Sequence, residues 1–250
     1  HALTDCLCFG NPEKPEQMWE FVESTRGISD TCKTVTLKEH PNSPTPIIAG
    51  NVSFYNESKF GAIPPSPIVS CLGKIKNIDN AITMSFKKEN SLILMIGKRK
   101  NELGGSLYYD LFDKLGANVP KPDLNTVKGE IFSLTTCIDK KLILSCHDIS
   151  DGGLSAALAE MTFENNIGCS VNYKTILKPE AFLFSETGGF ILEIDSSYLK
   201  EVEKEFLINN IEIAVIGKTN KSKMIEINEE ISINLIDVKS SWETGLREKL

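Results

Sequence analysis

"GNVSFYNES", Gly50–Ser58, places a glycine, two asparagines, two serines, two aromatics and a glutamate on nine consecutive positions. Prolines precede it in "PNSPTP" (41–46) and follow it in "AIPPSP" (62–67). A buried strand has no use for so many polar groups. The stretch reads either as a strand entering an Asn/Ser-rich turn or as a strand that serves a ligand. Side chains alternate with period two along a strand, so Asn51 and Ser53 share one face and Val52 takes the other, toward a core. Gly50 lets a ligand approach the backbone closely. Asn51 offers the neutral hard oxygen that Mg²⁺ accepts beside phosphate oxygens. Residue types alone leave both readings open.

The totals narrow the classes. A chain of 250 residues suits one large domain or two smaller ones, and 41% hydrophobic with 24% charged residues is ordinary for a globular protein. A net charge of −7 argues against nucleic acid as the main partner, because phosphate contacts need a basic face. The basic cluster "GKRKN", Gly97–Asn101, reads as a solvated turn. No apolar run approaches the length of a membrane span, and the opening residues lack the charged-then-apolar order of a signal peptide. Seven cysteines are scattered, with only Cys6 and Cys8 close together and no His cluster to complete a zinc site. Reduced thiols in a cytoplasmic protein are the expectation. His1 leads straight into a strand-like run with no initiator Met, as a fragment would.

Along the chain, "ALTDCLCF" alternates as a strand does, and Pro15 and Glu16 open a helix running to about Val35 with Gly27 weakening its middle. A polar loop, Lys38–Pro46, leads into the strand "IIAGNVS". "PIVSCLGKI" and "AITMSF" read as further strands. A change of texture at "KKENS" sets the expected domain boundary, giving 1–88 and 89–250. Beyond it the pattern predicts the strands "LILMIGK", "LILSC", "GCSVNY", "GFILEID" and "IEIAVIGK". Helices are expected over 106–115, 125–138 and 197–210, and a hairpin over 224–236. "DGGLSAALAEMTFENN" carries Leu154, Ala157, Leu158 and Met161 at i, i+3, i+4 and i+7, the clearest amphipathic helix present. Strands and helices intermix without a strict βαβ rhythm, so the class is α+β, helices on largely antiparallel sheets.

Several other stretches offer chemistry. Asp5 in "TDCLCFGNPE" accepts hydrogen bonds from a nucleotide, orients a metal-bound water, or caps a neighbouring turn. In "SCHDISDGG", His147, Asp148 and Asp151 gather ahead of two glycines, as metal ligands would. Helix-start chemistry explains most of it, with Ser150 or Asp151 as the cap. "FSETGGF" reads as a structural glycine turn with Glu186 and Thr187 at its tip. "ELGGS" is a Gly-rich helix entry without the Lys and spacing of a Walker A loop.

Taken in order, "TDCLCFGNPEKPE", "GNVSFYNES", "LGKI", "GKRKNELGGS", "HDISDGGLSAALAEM" and "LFSETGG" resemble formylglycinamide ribonucleotide amidotransferase, the phosphoribosylformylglycinamidine synthase of purine biosynthesis. The likeness spans nearly the whole chain. That family belongs with aminoimidazole ribonucleotide synthetase, whose architecture pairs an N-terminal α/β domain with a C-terminal α+β domain, and its synthetase subunit contains the pair twice. The resemblance implies that this chain is the second pair: a truncated N-type domain over 1–88, then a complete C-type domain over 89–250. It also implies ATP-dependent formation of an amidine from formylglycinamide ribonucleotide with glutamine-derived ammonia. ATP contacts would come from Asp5 and Gly50, a Mg²⁺ ligand from Asn51 and a substrate contact from Ser53. A glutaminase subunit and a small bridging subunit would be partners of the parent enzyme.

Two departures stand out: Cys8 where the family usually has Asn, and a longer loop at Lys38–Pro46. The family's catalytic His and most of its metal and substrate ligands fall outside this chain, so catalytic silence of the isolated piece is expected. Two rivals remain. A related superfamily kinase, for selenophosphate or thiamine phosphate, is disfavoured by "GNVSFYNE". A non-catalytic scaffold half would bind a structural nucleotide or dock the glutaminase.

Overall fold

β1 (Ala2–Cys8) is the middle strand of a three-stranded sheet, parallel to β2 (Ile47–Ser53) and antiparallel to β5 (Ser66–Leu72). Between β2 and β5 lies a two-stranded hairpin, β3 (Glu57–Ser58) and β4 (Gly61–Ala62). α1 (Pro15–Thr34) joins β1 to β2, as a parallel pair requires. Pro15 starts the helix where no N–H is needed, and Glu16 and Lys33 complement its dipole at the two ends. Gly27 does not interrupt it. Phe21 of α1 meets the rings of Phe9 and Phe54 edge-on, at 5.4 and 5.0 Å. Burial, and then nearby Cys71 and Asp5, push the Cys32 thiol up from its ordinary value. These elements form the first of two compact units, His1–Ile78 and Asp79–Leu250, in a computed structural model describing residues 1–228 and 230–245.

The second unit holds β6 (Leu92–Ile96), α2 (Leu107–Asp110), α3 (Leu124–Asp139), β7 (Ser145–Asp148), α4 (Gly153–Glu160) and β8 (Gly168–Val171). α5 (Pro179–Phe184), β9 (Phe190–Ile194), α6 (Leu199–Ile208), β10 (Ile213–Asn220), β11 (Met224–Ile227), β12 (Ile231–Asn234) and α7 (Leu235–Thr244) follow. Its sheet runs β12-β11-β8-β10-β6-β9-β7, and only the β11–β8 pair is parallel. The α+β class follows from this topology.

β6 reads "LILMI" without a polar residue because both faces of its sheet are covered, and every one of its residues is buried. Ile93 and Met95 pack into a core with Leu154 and Leu158 of α4, Phe182 of α5 and Leu235 of α7. Leu92, Leu94 and Ile96 turn to the other face, among Leu134 of α3 and Val202 and Phe206 of α6. Each such fully buried side chain contributes about 1.5–3 kcal/mol.

Three expectations shift. "AITMSF" is not a strand: Thr83 O accepts from Cys146 N of β7 at 3.2 Å and Phe86 N donates to Met161 O at the end of α4 at 2.8 Å, so it threads between elements without forming a ladder. The two compact units meet between Ile78 and Asp79. Lys87 and Lys88 donate their backbone N–H groups to the fully buried Glu193 carboxylate at 2.7 and 2.9 Å, tying this approach to the larger sheet. The helix over 106–115 shrinks to α2, stopped by turns in which Asp113 and Gly116 take positive φ. The strand in "LILSC" begins only at Ser145. α5 and α7 had no expected counterpart, and α7 begins where Asn234 Oδ1 accepts from Ile236 N at 2.8 Å. Residue 229 of the expected hairpin and residues 246–250 lie outside the described residues.

Candidate functional site

Strand pairing sorts the residues of "GNVSFYNES" by face. Asp5 pairs with Gly50 and Val69, Cys6 with Asn51 and Ile68, and Cys8 with Ser53 and Ser66. Paired residues share a face. Asn51 and Ser53 therefore stand together, beside Cys6 and Cys8, while Asp5 and Gly50 belong to the opposite face. Val52 shares that second face but is 48% exposed on an outer strand, so it does not enter a core as expected.

Gly50 leaves room for its neighbour's side chain. A Cβ on it would lie 2.2 Å from Asp5 Oδ1 and 3.0 Å from Asp5 Cγ. The Asp5 carboxylate thus rests on the bare backbone of Gly50, in mid-strand, and caps no turn. The two residues that the resemblance pairs with ATP are in contact across the parallel strands, a pairing that needed the register to be seen.

The rest of the stretch is structural. Tyr55 takes a positive φ of 58°. Asn56 Nδ2 donates to Phe9 O at 3.0 Å and Ser53 O at 2.9 Å, clamping the turn. Glu57 Oε1 accepts from Lys14 Nζ at 2.7 Å and Asn11 N at 3.3 Å, and the lysine bond holds its carboxyl below the usual range. Ser53 Oγ lies 3.1 Å from Asn56 Nδ2, which fixes the hydroxyl. Gly50 and Asn51 are exposed, and Asn51 lies on a strand that pairs only with β1 among the described residues. A ligand touching all four candidates must straddle the β2 edge.

For Mg²⁺ the donor set is thin. Among the described residues no three His, Cys, Asp or Glu side chains gather. Asn51 supplies one neutral oxygen, which fits Mg²⁺ only in company with phosphate oxygens and ligands from elsewhere.

The second unit gathers motifs that looked separate in the sequence. Glu186 Oε1, in "FSETGGF", accepts from Gly152 N at 2.9 Å and from Leu107 N at 3.0 Å, bridging the starts of α4 and α2. Neither Ser150 nor Asp151 caps α4: its N-cap is Gly152, at φ 75°, without a side-chain cap. The "GKRKN" turn is solvated at Lys98 but not at Arg99, which is buried. Arg99 Nη1 donates to Ser185 O at 2.9 Å, and Nη2 donates to Gly188 O. Burial pulls the guanidinium down to about 10, opposed by Glu130 and Glu102, and burial likewise raises Glu130. Glu102 Oε2 is buried without a hydrogen-bond partner among the described residues. Gly189, at φ 122°, has no room for a Cβ, which would meet Ile96 O at 2.2 Å. His147 Nε2 pairs with Glu160 Oε2 at 2.8 Å and its Nδ1 with Asp148 O at 2.8 Å, so both ring nitrogens serve the fold.

Residues 88–229 match the family described as AIR synthase related protein, C-terminal domain. The chain belongs to that family. The AIR synthase related chain is also 37% identical over its whole length to a "Phosphoribosylformylglycinamidine synthase subunit PurL" from Methanothrix thermoacetophila, covering 33% of that protein. A PurL subunit from Thermococcus sibiricus is 36% identical over 96% of the chain, again covering 33% of the relative. The chain thus spans about a third of the length of these curated relatives. Among solved structures, Thermotoga maritima PurL complexed with FGAR superposes with a TM-score of 0.71 at 13% identity, over 95% of this chain and 39% of that one. A chain of the HypE–HypF complex superposes with a TM-score of 0.58 at 16% identity, over 93% of this chain and 76% of that one. At these identities the superpositions establish the AIR synthase-like fold. No helix among the described residues is long and apolar enough to cross a membrane.

Proposed function

We propose that this chain is the C-terminal third of a phosphoribosylformylglycinamidine synthase of purine biosynthesis. It holds a partial N-type domain followed by a C-type domain, and works in the cytoplasm. The reaction is an ATP-dependent C–N ligation. ATP phosphorylates the amide oxygen of formylglycinamide ribonucleotide, and ammonia then adds to that carbon and displaces phosphate, leaving the amidine. The observation that carries this reading is the full-length match to curated synthase subunits, because it takes in Asp5–Ser53 as well as residues 88–229.

The small sheet supplies part of the site. Asp5, seated on Gly50, accepts hydrogen bonds from ATP, and the bare backbone at Gly50 admits the nucleotide. Asn51 would hold Mg²⁺ together with phosphate oxygens, and Ser53 donates to the ribonucleotide substrate. Positioning and charge neutralisation are most of what a protein contributes to phosphoryl transfer, and these groups suit it. The glutaminase and a small bridging subunit join the parent assembly, a reading supported by the solved PurLQS structure from Thermotoga maritima.

The test uses the parent protein and the chain alone. In the parent, Asn51→Ala abolishes Mg²⁺-dependent ATP binding by calorimetry and Ser53→Ala raises the KM for the ribonucleotide. The isolated chain shows no substrate-dependent ATP hydrolysis. ATP binding that persists in both variants would make this half a scaffold with a structural nucleotide. Substrate-dependent hydrolysis by the isolated chain would overturn its status as an incomplete site.

A further inference from the structure

The small sheet carries two thiols that the proposed function does not use. Cys6 and Cys8 are alternate residues of β1, so both side chains leave the same face. Their Sγ atoms lie 3.7 Å apart in a thiol–thiol hydrogen bond, and both cysteines are free and half-buried. Asn51 is in register with Cys6 on that face and Ser53 with Cys8.

The spacing has a chemical meaning. Two thiolates on one tetrahedral zinc ion, each at about 2.3 Å, stand about 3.8 Å from one another. The pair therefore chelates without moving the strand. A disulfide asks for more. Its sulfurs must close to about 2.05 Å, and Cα atoms two residues apart on an extended strand stand about 6.7 Å apart, the upper end of the disulfide range. β1 is hydrogen-bonded on both sides, to β2 and β5, and resists the pucker that closure requires.

We propose that Cys6 and Cys8 form a bidentate dithiolate site for one thiophilic divalent cation of the zinc–cadmium class. Two thiols and M²⁺ give M(SR)₂ and two released protons, with no change of oxidation state. Water, or the carbonyl oxygen of the neighbouring Asn51, completes the coordination. Thiolate softness favours such an ion over Mg²⁺. The assignment stands whether or not the functional reading above holds.

The test titrates the reduced 250-residue chain, freed of thiol reductant, with cadmium chloride and follows the thiolate-to-cadmium charge-transfer absorption. The expected result is saturation at one cadmium per chain. Affinity falls on the order of 100-fold in Cys6→Ser and in Cys8→Ser, since the second thiolate acts at high effective concentration. Cys71→Ser, which changes an exposed cysteine on the other face, leaves it unchanged. A measurement without variants guards against misfolding. Cadmium should protect Cys6 and Cys8, but not Cys71, from alkylation of the native chain, read residue by residue by mass spectrometry. Cadmium affinity retained at the native level in Cys6→Ser or Cys8→Ser, or unprotected Cys6 and Cys8 in the native chain, overturns the proposal.

Discussion

β1 and β6 are both inner strands, and both obey the two-residue alternation, yet they spend it differently. All five residues of β6 are buried, because helices cover both faces of its sheet. β1 buries only Ala2 and Leu7 of its seven residues and keeps Asp5, Cys6 and Cys8 partly in contact with solvent. The large sheet is a packing device. The small one is a display surface, in which a missing Cβ at Gly50 seats a carboxylate. Polar side chains stay exposed where apolar covering is thin.

The comparison breaks first at the large sheet if it is wrong. Phe206→Ala removes a fully buried ring and should cost about 3–5 kcal/mol, seen as a lower urea midpoint with an unchanged m-value. Glu193→Gln comes next. The carboxylate accepts from Lys87 N, Lys88 N and Ser145 Oγ, the last at 2.8 Å, and an amide cannot accept at both ends. The expected loss is about 1–3 kcal/mol by the same measurement. Gly50→Ala should cost only about 1 kcal/mol, because the half-exposed Asp5 side chain can rotate away. Its effect on ATP affinity in the parent, at least about tenfold, should exceed its effect on stability. Destabilisation as large as that of Phe206→Ala would mean the small sheet is packed like the large one.

The smallest effect is electrostatic. Lys88 Nζ donates to Asp195 Oδ2 at 2.5 Å, and Ser197 donates through N and Oγ, so the Asp195 carboxyl is held below its ordinary value. A lowered carboxylate contributes stability that is complete above its unfolded pKa of about 3.9 and is lost as pH falls toward the folded value. The stability gap between the wild-type chain and Asp195→Asn should stay constant above about pH 5 and close below about pH 4. Urea midpoints across that range would show it, and a gap that widened on acidification would contradict the assignment.

Elements whose signal is local were legible in the sequence. The Leu154–Met161 spacing, the Pro15 start of α1 and the apolar run of β6 each state their structure within a few residues. What escaped depends on distant partners. Ser150 and Asp151 look like caps for α4, but Glu186, 34 positions beyond Gly152, supplies the acceptor. "AITMSF" has strand-like composition, yet Cys146 and Met161 take its backbone groups. Arg99 sits in a charged run that reads as solvent-exposed, and only the packed carbonyls of Ser185 and Gly188 explain its burial. For the candidate site, alternation alone placed Asn51 and Ser53 on one face. That Asp5 rests on Gly50 is a matter of register across the β1–β2 pair, and no local pattern states it.

The outer position of β2 has a consequence for handling. Among the described residues it pairs on one side only, and Ile47 and Ile48 are 45% and 62% exposed. Such a strand is a template on which a second copy can lay its own backbone. Self-association should therefore rise with concentration from this edge, and a lysine in place of Ile48 is the natural gatekeeper against it.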